Sequence, residues 1–150
     1  MPRKLAIKIA VDMVMTVLLL LLMAFSLIGE TTHEWLGTMM CILLISHHIL
    51  NAGWYKNMRK SRYSTFRVFQ TALVGLLFLM MLGSMISGIL LSRYVFNFLQ
   101  VRVGWELMGS VHLFCAYWNF LLTGLHLGFH WSMVLGIIRK ITGKIGRAHV

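Results

Sequence analysis

Six histidines lie in two strongly apolar stretches of this chain. The stretches are HEWLGTMMCILLISHHILN, residues 33–51, and VHLFCAYWNFLLTGLHLGFHW, residues 111–131. Imidazole can act as an acid or base, as a hydrogen-bonding group, or as a ligand of metals and haem iron. Polar side chains in segments this apolar are costly and usually functional. The six candidates are His33, His47, His48, His112, His126 and His130.

The two stretches share one histidine spacing. His33 and His47 are 14 residues apart, and so are His112 and His126. An α-helix turns about 100° and rises about 1.5 Å per residue, so 14 residues correspond to about 40° around the axis and about 21 Å along it. Each stretch therefore predicts two imidazoles on one helix face, at depths that match between the stretches.

The composition around these residues indicates a membrane protein. Of the 150 residues, 59% are apolar and 12% are charged, and the mean hydropathy is +0.79. Soluble domains carry about 25% charged residues. Several apolar runs reach the ~20 residues that a helix needs to cross a bilayer. We therefore expect an integral membrane protein.

The net charge is +10, and the basic residues responsible for it lie at the ends of the apolar segments. Nearly all of the 14 Lys and Arg residues fall in three clusters, within residues 3–8, 56–67 and 139–147. The positive-inside rule predicts this distribution for cytoplasmic flanks. The charge therefore indicates topology and contact with membrane lipid, and we expect no nucleic-acid partner.

The apolar segments predict an all-α fold, an integral membrane four-helix up-down bundle with both termini inside. We expect Gly29 to Thr32 to form an outer turn in which Thr31 or Thr32 caps the second helix. A strongly basic inner loop follows the second span. The expected spans are residues 5–28, about 33–54, about 68–91 and about 106–138.

The four-helix domain is expected to cover residues 1–144. The last six residues, IGRAHV, match the translation of a widely used sequencing-adapter string. We expect residues 145–150 to be a sequencing artefact and the natural chain to continue further. Arg147 and His149 are therefore not candidate site residues.

This topology pairs the histidines by depth. The second and fourth spans both run from outside to inside, so His33 and His112 lie near the outer surface. His47 and His126 lie about 21 Å deeper. Two sites result, each with one imidazole from each helix. Such an arrangement suits two b-type haems, each held by two axial histidines and stacked across the membrane.

The inner ligand set has alternatives. Around the helix axis, His48 lies about 60° from His33, on the side opposite to His47, and it could replace His47 as the ligand. His130 lies one turn beyond His126 and could bind iron or line a neighbouring quinone pocket. Any one of these histidines could instead form only an interhelical hydrogen bond. The equal spacing on two helices favours paired ligands.

Three charged residues could support such sites. Arg93, at the outer end of the third span, could pair with haem propionates, because guanidinium binds carboxylates bidentately, or it could face the lipid headgroups. Asp12 could deliver protons near an inner quinone site or form an i,i+4 pair with Lys8. Glu34 could orient His33 or face water.

At these residues the sequence resembles the flavinylation-associated cytochrome family, a group of four-helix membrane proteins. The resemblance covers roughly residues 5–140. It rests on HEWLG, SHHILN and WYKNM in the second span, ISGILLSRYVF at the end of the third, and HLFCAYWNFLLTGLHLGFHW in the fourth. The histidine spacing is also similar to that of the membrane cytochrome b subunits of respiratory formate dehydrogenases and hydrogenases.

The resemblance implies transmembrane electron transfer by two b-type haems in a bacterial or archaeal cytoplasmic (inner) membrane. The chain would be a multi-pass electron-transfer subunit of a membrane oxidoreductase, linking the quinone pool to an extracytoplasmic flavoprotein or another redox protein. It leaves open whether the bundle acts alone or as a homodimer. Carried over by position, the haem-iron ligands are His33, His47 or His48, His112 and His126, with His130 as a further candidate.

Two other functions are compatible with the sequence. A small proton- or metal-coupled carrier could use Asp12 and the histidines as a relay, although four helices leave little room for alternating access and no inverted repeat is visible. A membrane anchor subunit without haem would use the histidines only for hydrogen bonds. Bound haem distinguishes the cytochrome from both.

Overall fold

The computed structural model describes residues 3–54, 64–99, 104–131, 135, 136 and 139. All regular secondary structure in this part of the chain is helical, which confirms the all-α fold class. The connections contain a short helix, α2 (Phe25–Ile28), and a 3-10 turn (Asn97–Leu99). The long helices are α1 (Arg3–Met23), α3 (Glu30–Leu50), α4 (Thr65–Leu91) and α5 (Trp105–Phe129).

The long helices pack as two antiparallel pairs. Helix α1 packs against α3, and α4 packs more extensively against α5, whereas α3 and α4 make fewer contacts. In the first pair Asp12 meets His47, near the C-terminal end of α3. In the second pair Ser87 of α4 meets His112 of α5. The looser contact between the two pairs leaves room between them for a cavity.

Two glycines of α4 let α5 approach closely. A Cβ atom on Gly83 would lie 2.6 Å from Sγ of Cys115, and one on Gly88 would lie 3.1 Å from Cε1 of His112. Both distances are shorter than ordinary van der Waals contact, so a larger residue would displace its neighbour. Small residues at these two positions therefore set the distance between α4 and α5.

The turn before α3 is tighter than the sequence predicts. Gly29 has a φ of 76°, in the left-handed region that glycine adopts without steric cost. The chain reverses there, and α3 begins at Glu30. The prediction of a turn over residues 29–32 capped by Thr31 or Thr32 is therefore wrong, because both threonines lie inside the first turn of α3.

The helix ends differ from the expected spans in other places. The first span is interrupted at Ala24, where α1 gives way to α2. Helix α4 begins three residues earlier than expected, because the hydroxyl of Ser64 accepts a hydrogen bond from the backbone N–H of Arg67 and caps it. The basic inner loop over residues 55–63, the end of the fourth span at 138 and the IGRAHV tail lie outside the described residues.

Among the described helices, α1 and α4 are long and apolar enough to cross a membrane. Their most apolar windows have mean hydropathies of 2.4 and 2.3, yet only 6% and 17% of the residues in those windows are buried. Packing within the described part of the chain therefore does not account for their apolar surface.

Candidate functional site

A cavity of about 440 Å³ lies between the two helix pairs. All four long helices contribute to its wall, which is mostly apolar. Apolar cavities of this size with a few converging polar groups are typical of sites for small molecules and cofactors. The polar side chains on the wall include His33, Glu34, Ser84, His112 and Asn119.

His33 and His112 meet at this cavity. Their ring centroids are 6.1 Å apart and their planes are inclined at 73°. The first residue comes from α3 and the second from α5, so the contact joins the two helix pairs. The structure thus brings together the two histidines that the sequence pairs near the outer surface.

Hydrogen bonds hold the His112 ring in a defined orientation. Its Nδ1 atom lies 2.9 Å from the carbonyl oxygen of Ser84. A carbonyl can only accept, so Nδ1 carries the proton and donates it. The hydroxyl of Ser87 lies 3.2 Å from the same nitrogen. In the neutral imidazole this leaves the lone pair on Nε2, which is the state of a histidine prepared to bind a metal.

His33 is held mainly by packing. Its ring makes an edge contact with Phe25, with centroids 5.1 Å apart. The backbone of Leu22 is a weak hydrogen-bond partner of the imidazole, but the buried Nδ1 has no partner at full hydrogen-bond geometry in the described chain. Buried polar atoms normally have such a partner. His33 therefore has an unmet polar atom beside the cavity.

Glu34 ties α3 to the segment that follows α4. Its carboxylate accepts the hydroxyl of Ser92 at 2.6 Å. It also accepts the backbone N–H groups of Arg93, Tyr94 and Val95 at 2.7, 3.0 and 2.9 Å. Sequence reasoning missed this clamp, since 58 residues separate Glu34 from Ser92 and no local motif connects them. The clamp lies directly beside His33 in the chain, at the end of α4.

Arg93 lies just after the end of α4 and not on the cavity wall. Its Nε atom is 3.4 Å from Oε1 of Glu30, and its guanidinium lies over the ring of Trp105, 4.3 Å from the centroid. The side chain is 56% exposed. These contacts hold the guanidinium between α3 and α5, and its pairing with propionates stays a prediction.

A second group of histidines lies about four helical turns further along α3 and α5. Nδ1 of His47 is 2.7 Å from Oδ1 of Asp12. His126 packs against His130 with ring centroids 4.9 Å apart and lies within electrostatic reach of His47 and Asp12. Its Nδ1 atom is buried and has no hydrogen-bond partner among the described residues. The direct contact in this group joins α1 to α3.

His47 and His48 contact different helices. His47 contacts Asp12 of α1, whereas the ring of His48 makes an edge contact with Phe78 of α4, with centroids 4.9 Å apart. The two histidine rings are themselves 5.6 Å apart. Consecutive residues of a helix are rotated by about 100°, which accounts for the different neighbours.

Asn119 is a polar residue of the cavity wall that sequence reasoning missed. It is 2% exposed, and its Nδ2 donates to the hydroxyl oxygen of Ser84 at 2.9 Å. That hydroxyl donates in turn to the carbonyl of Met80, whereas Oδ1 of Asn119 has no partner in the described residues. Spacing could have revealed it, because Asn119 is seven residues from both His112 and His126 and shares their helix face.

No group of three or more His, Cys, Asp or Glu side chains that could hold a metal ion occurs among the described residues. The cavity wall instead offers two imidazoles, those of His33 and His112, which is the number that a six-coordinate haem takes from its protein. The chain matches no protein-family model, no curated protein and no solved structure. The resemblance to flavinylation-associated cytochromes stays a prediction.

Proposed function

We propose that this protein is a membrane cytochrome b that carries two haems and transfers electrons across the bilayer. In this proposal the four long helices span a bacterial or archaeal cytoplasmic membrane as an up-down bundle with both termini inside. The chain serves as the electron-transfer subunit of an oxidoreductase. It links the quinone pool to a flavoprotein or another redox protein on the outer side, as in the family that it resembles.

The His33–His112 pair on the cavity wall is the observation that carries the proposal. Two imidazoles whose ring centres lie about 6 Å apart are close enough to hold one metal ion together, since metal–nitrogen bonds are about 2 Å long. The rings of His33 and His112 are 6.1 Å apart. Nδ1 of His112 donates to a carbonyl, the second contact that metal-binding histidines commonly make.

The cavity wall also suits a flat apolar cofactor. It is mostly apolar and receives side chains from all four long helices. Gly88 supports the fit, because a Cβ atom there would press on the His112 ring. The unmet Nδ1 of His33 adds a polar atom that a bound group, or a water molecule beside it, would satisfy.

Exposed apolar faces support the membrane placement of the histidine-bearing helices as well. In α3, Ile42, Ile45 and Ile49 are each at least 57% exposed and lie on one side of the helix. In α5, Phe114 and Leu121 are 57% and 56% exposed. In water such faces would be an aggregation hazard. In lipid they are the ordinary surface of a spanning helix.

The inner haem would lie between His126 and one of His47 and His48, with His130 one turn beyond. Haem iron supplies the one-electron redox chemistry when it is bound. The chain supplies the imidazoles, fixes their orientation and excludes water from the interior. Asp12, His126 and His130 could also bind a quinone headgroup and exchange protons with it near the inner surface.

A reduced-minus-oxidised absorption spectrum of the purified protein, with pyridine haemochrome quantification, tests the proposal. The expected result is two b-type haems per chain with low-spin, six-coordinate bands. One haem would mean that only one of the two histidine groups binds iron. Colourless protein from haem-replete cells would overturn the proposal.

One observation favours a second candidate. The short Asp12–His47 contact is what a proton-coupled carrier would need for a relay in the membrane interior. That carrier would bind no haem, so the same spectrum separates the two functions.

A further inference from the structure

We infer that Asp12 positions His47 as the inner haem ligand and lowers the reduction potential of that haem. The inference rests on the proposed function. It assigns a role to a residue of α1, a helix that carries no histidine, and it decides between His47 and His48. Asp12 is a positioning residue here, because it acts only through the imidazole of His47.

The Asp12–His47 contact defines which nitrogen of His47 is free. Oδ1 of Asp12 lies 2.7 Å from Nδ1 of His47, which is the length of a charge-assisted hydrogen bond. An ionised carboxylate can only accept, so Nδ1 carries the proton. In the neutral ring Nε2 then holds the lone pair. The contact therefore selects the tautomer that binds iron through Nε2.

Asn51 does not compete effectively for Nδ1 of His47. Its Nδ2 is 3.4 Å from that atom but only 3.0 Å from the backbone carbonyl oxygen of His47. Nδ1 cannot donate to Asp12 and accept from Asn51 with the same proton in place. The shorter contact to the carboxylate is the stronger one. The Asn51 amide instead donates a hydrogen bond to the backbone carbonyl of His47 at the end of α3.

The contacts of the neighbouring helices favour His47 over His48. His47 and Asp12 both lie within electrostatic reach of His126, the candidate ligand on α5. His48 turns its ring to Phe78 of α4. The Asp12 carboxylate and the His47 imidazole are two parts of a carboxylate–histidine–metal arrangement, and His126 offers a second imidazole within electrostatic reach of both.

The carboxylate should change the redox behaviour of the inner site. A hydrogen bond from Nδ1 to an anion makes the imidazole more basic and a stronger donor to the metal. Stronger donation and a nearby negative charge both favour ferric over ferrous iron. One electron enters the haem on reduction, so the effect appears as a lower midpoint potential of that haem alone.

Potentiometry of the haem-loaded Asp12→Asn variant tests the inference. This variant removes the charge and keeps a side chain of the same shape. The expected result is two bound haems, one of which has a higher midpoint potential. The rise should be at least about 59 mV, which corresponds to a tenfold change in the ferric-to-ferrous equilibrium for one electron. The second midpoint should stay unchanged. Asp12→Glu should restore the lower potential.

Two further variants sharpen the comparison. Ser46→Ala is the matched control, because Ser46 precedes His47 on α3 and its hydroxyl donates to the carbonyl of Ile42 in the same helix. It should change neither potential. Repeating Asp12→Asn in a His112→Ala chain, which holds only the inner haem, shows directly which haem responds.

Ligand replacement provides a second, independent measurement. His47→Ala should remove one haem, and His48→Ala should keep both. Loss of the inner haem from His48→Ala with retention in His47→Ala would overturn the inference. If Asp12→Asn binds two haems and both midpoint potentials are unchanged, the inference is also overturned, while the proposed function stays intact. A wild-type protein without haem would overturn the proposed function, and this inference with it.

Discussion

The rings of His33 and His112 lie 6.1 Å apart, although 79 residues separate them along the chain. One ring is packed against Phe25, and the other is fixed through Nδ1 by the carbonyl of Ser84. Two imidazoles are thus held from different helices over a shared cavity, and in the proposed function they bind one haem. Three predictions concern this pair and the contacts around it, and a fourth concerns the exposed face of α3.

Removing either outer histidine should remove one haem. His33→Ala and His112→Ala are each expected to lower the haem content from two per chain to one, because each site depends on both imidazoles. Haem-to-protein ratios and pyridine haemochrome spectra measure this. Ser110→Ala is the control, since that exposed hydroxyl donates only to the carbonyl of Glu106 within α5. Two haems in both histidine variants would show that this pair holds none.

Gly88→Ala should disturb the outer site selectively. The added Cβ would lie 3.1 Å from Cε1 of His112, so the imidazole must tilt or α5 must move outward. We expect a shifted spectrum of one haem, or its loss, with the other unaffected. Gly75→Ala on the same helix is the matched control, since nothing lies within 4 Å of its Cβ position. Identical spectra for the two variants would contradict the close packing of Gly88 on His112.

Glu34→Ala should loosen the outer end of the bundle. The carboxylate accepts four hydrogen bonds from residues 92–95. Hydrogen bonds to charged groups contribute about 1.5–3 kcal/mol each when they are protected from water, and this site is partly exposed. We therefore expect a loss of about 1–3 kcal/mol in the free energy of unfolding, measured by denaturation in detergent.

Limited proteolysis adds a local readout for the same variant. Cleavage within residues 92–95 should become faster in Glu34→Ala than in Glu106→Ala, an exposed acid in the first turn of α5. Equal cleavage rates in the two variants would argue against the clamp.

Ile45→Asp should distinguish a lipid-facing surface from a water-facing one. Ile45 is 57% exposed on α3. In water, a carboxylate at an exposed position is tolerated. In the membrane interior it raises the free energy of insertion by about 2.5–3.5 kcal/mol. We expect Ile45→Asp to reduce the amount of membrane-integrated protein and Ile45→Leu to leave it unchanged, as measured by fractionation and alkaline extraction. Equal amounts for both would contradict the placement of α3 in lipid.

The sequence by itself determined the regular part of this protein. An α-helix has a constant rise and rotation, so apolar runs and a repeated 14-residue spacing were enough to predict helices and to assign His33 and His47 to one face. The helical class is confirmed by the structure. The turn at Gly29 was predicted less well. A turn of four residues was expected, whereas the chain reverses direction at Gly29 alone, which has a positive φ.

The tertiary structure decided which helix faces meet. The clamp of Glu34 joins α3 to the segment that follows α4, and the contact of Asp12 with His47 joins α1 to α3. Helical periodicity gives the direction of a side chain around its own axis but not the neighbour that it meets. That neighbour depends on the rotation and depth at which two helices pack. Gly83 and Gly88 have no side chain, and this allows α4 and α5 to pack closely. A contact such as that of His112 with Ser84 depends on this packing and cannot be read from one helix alone.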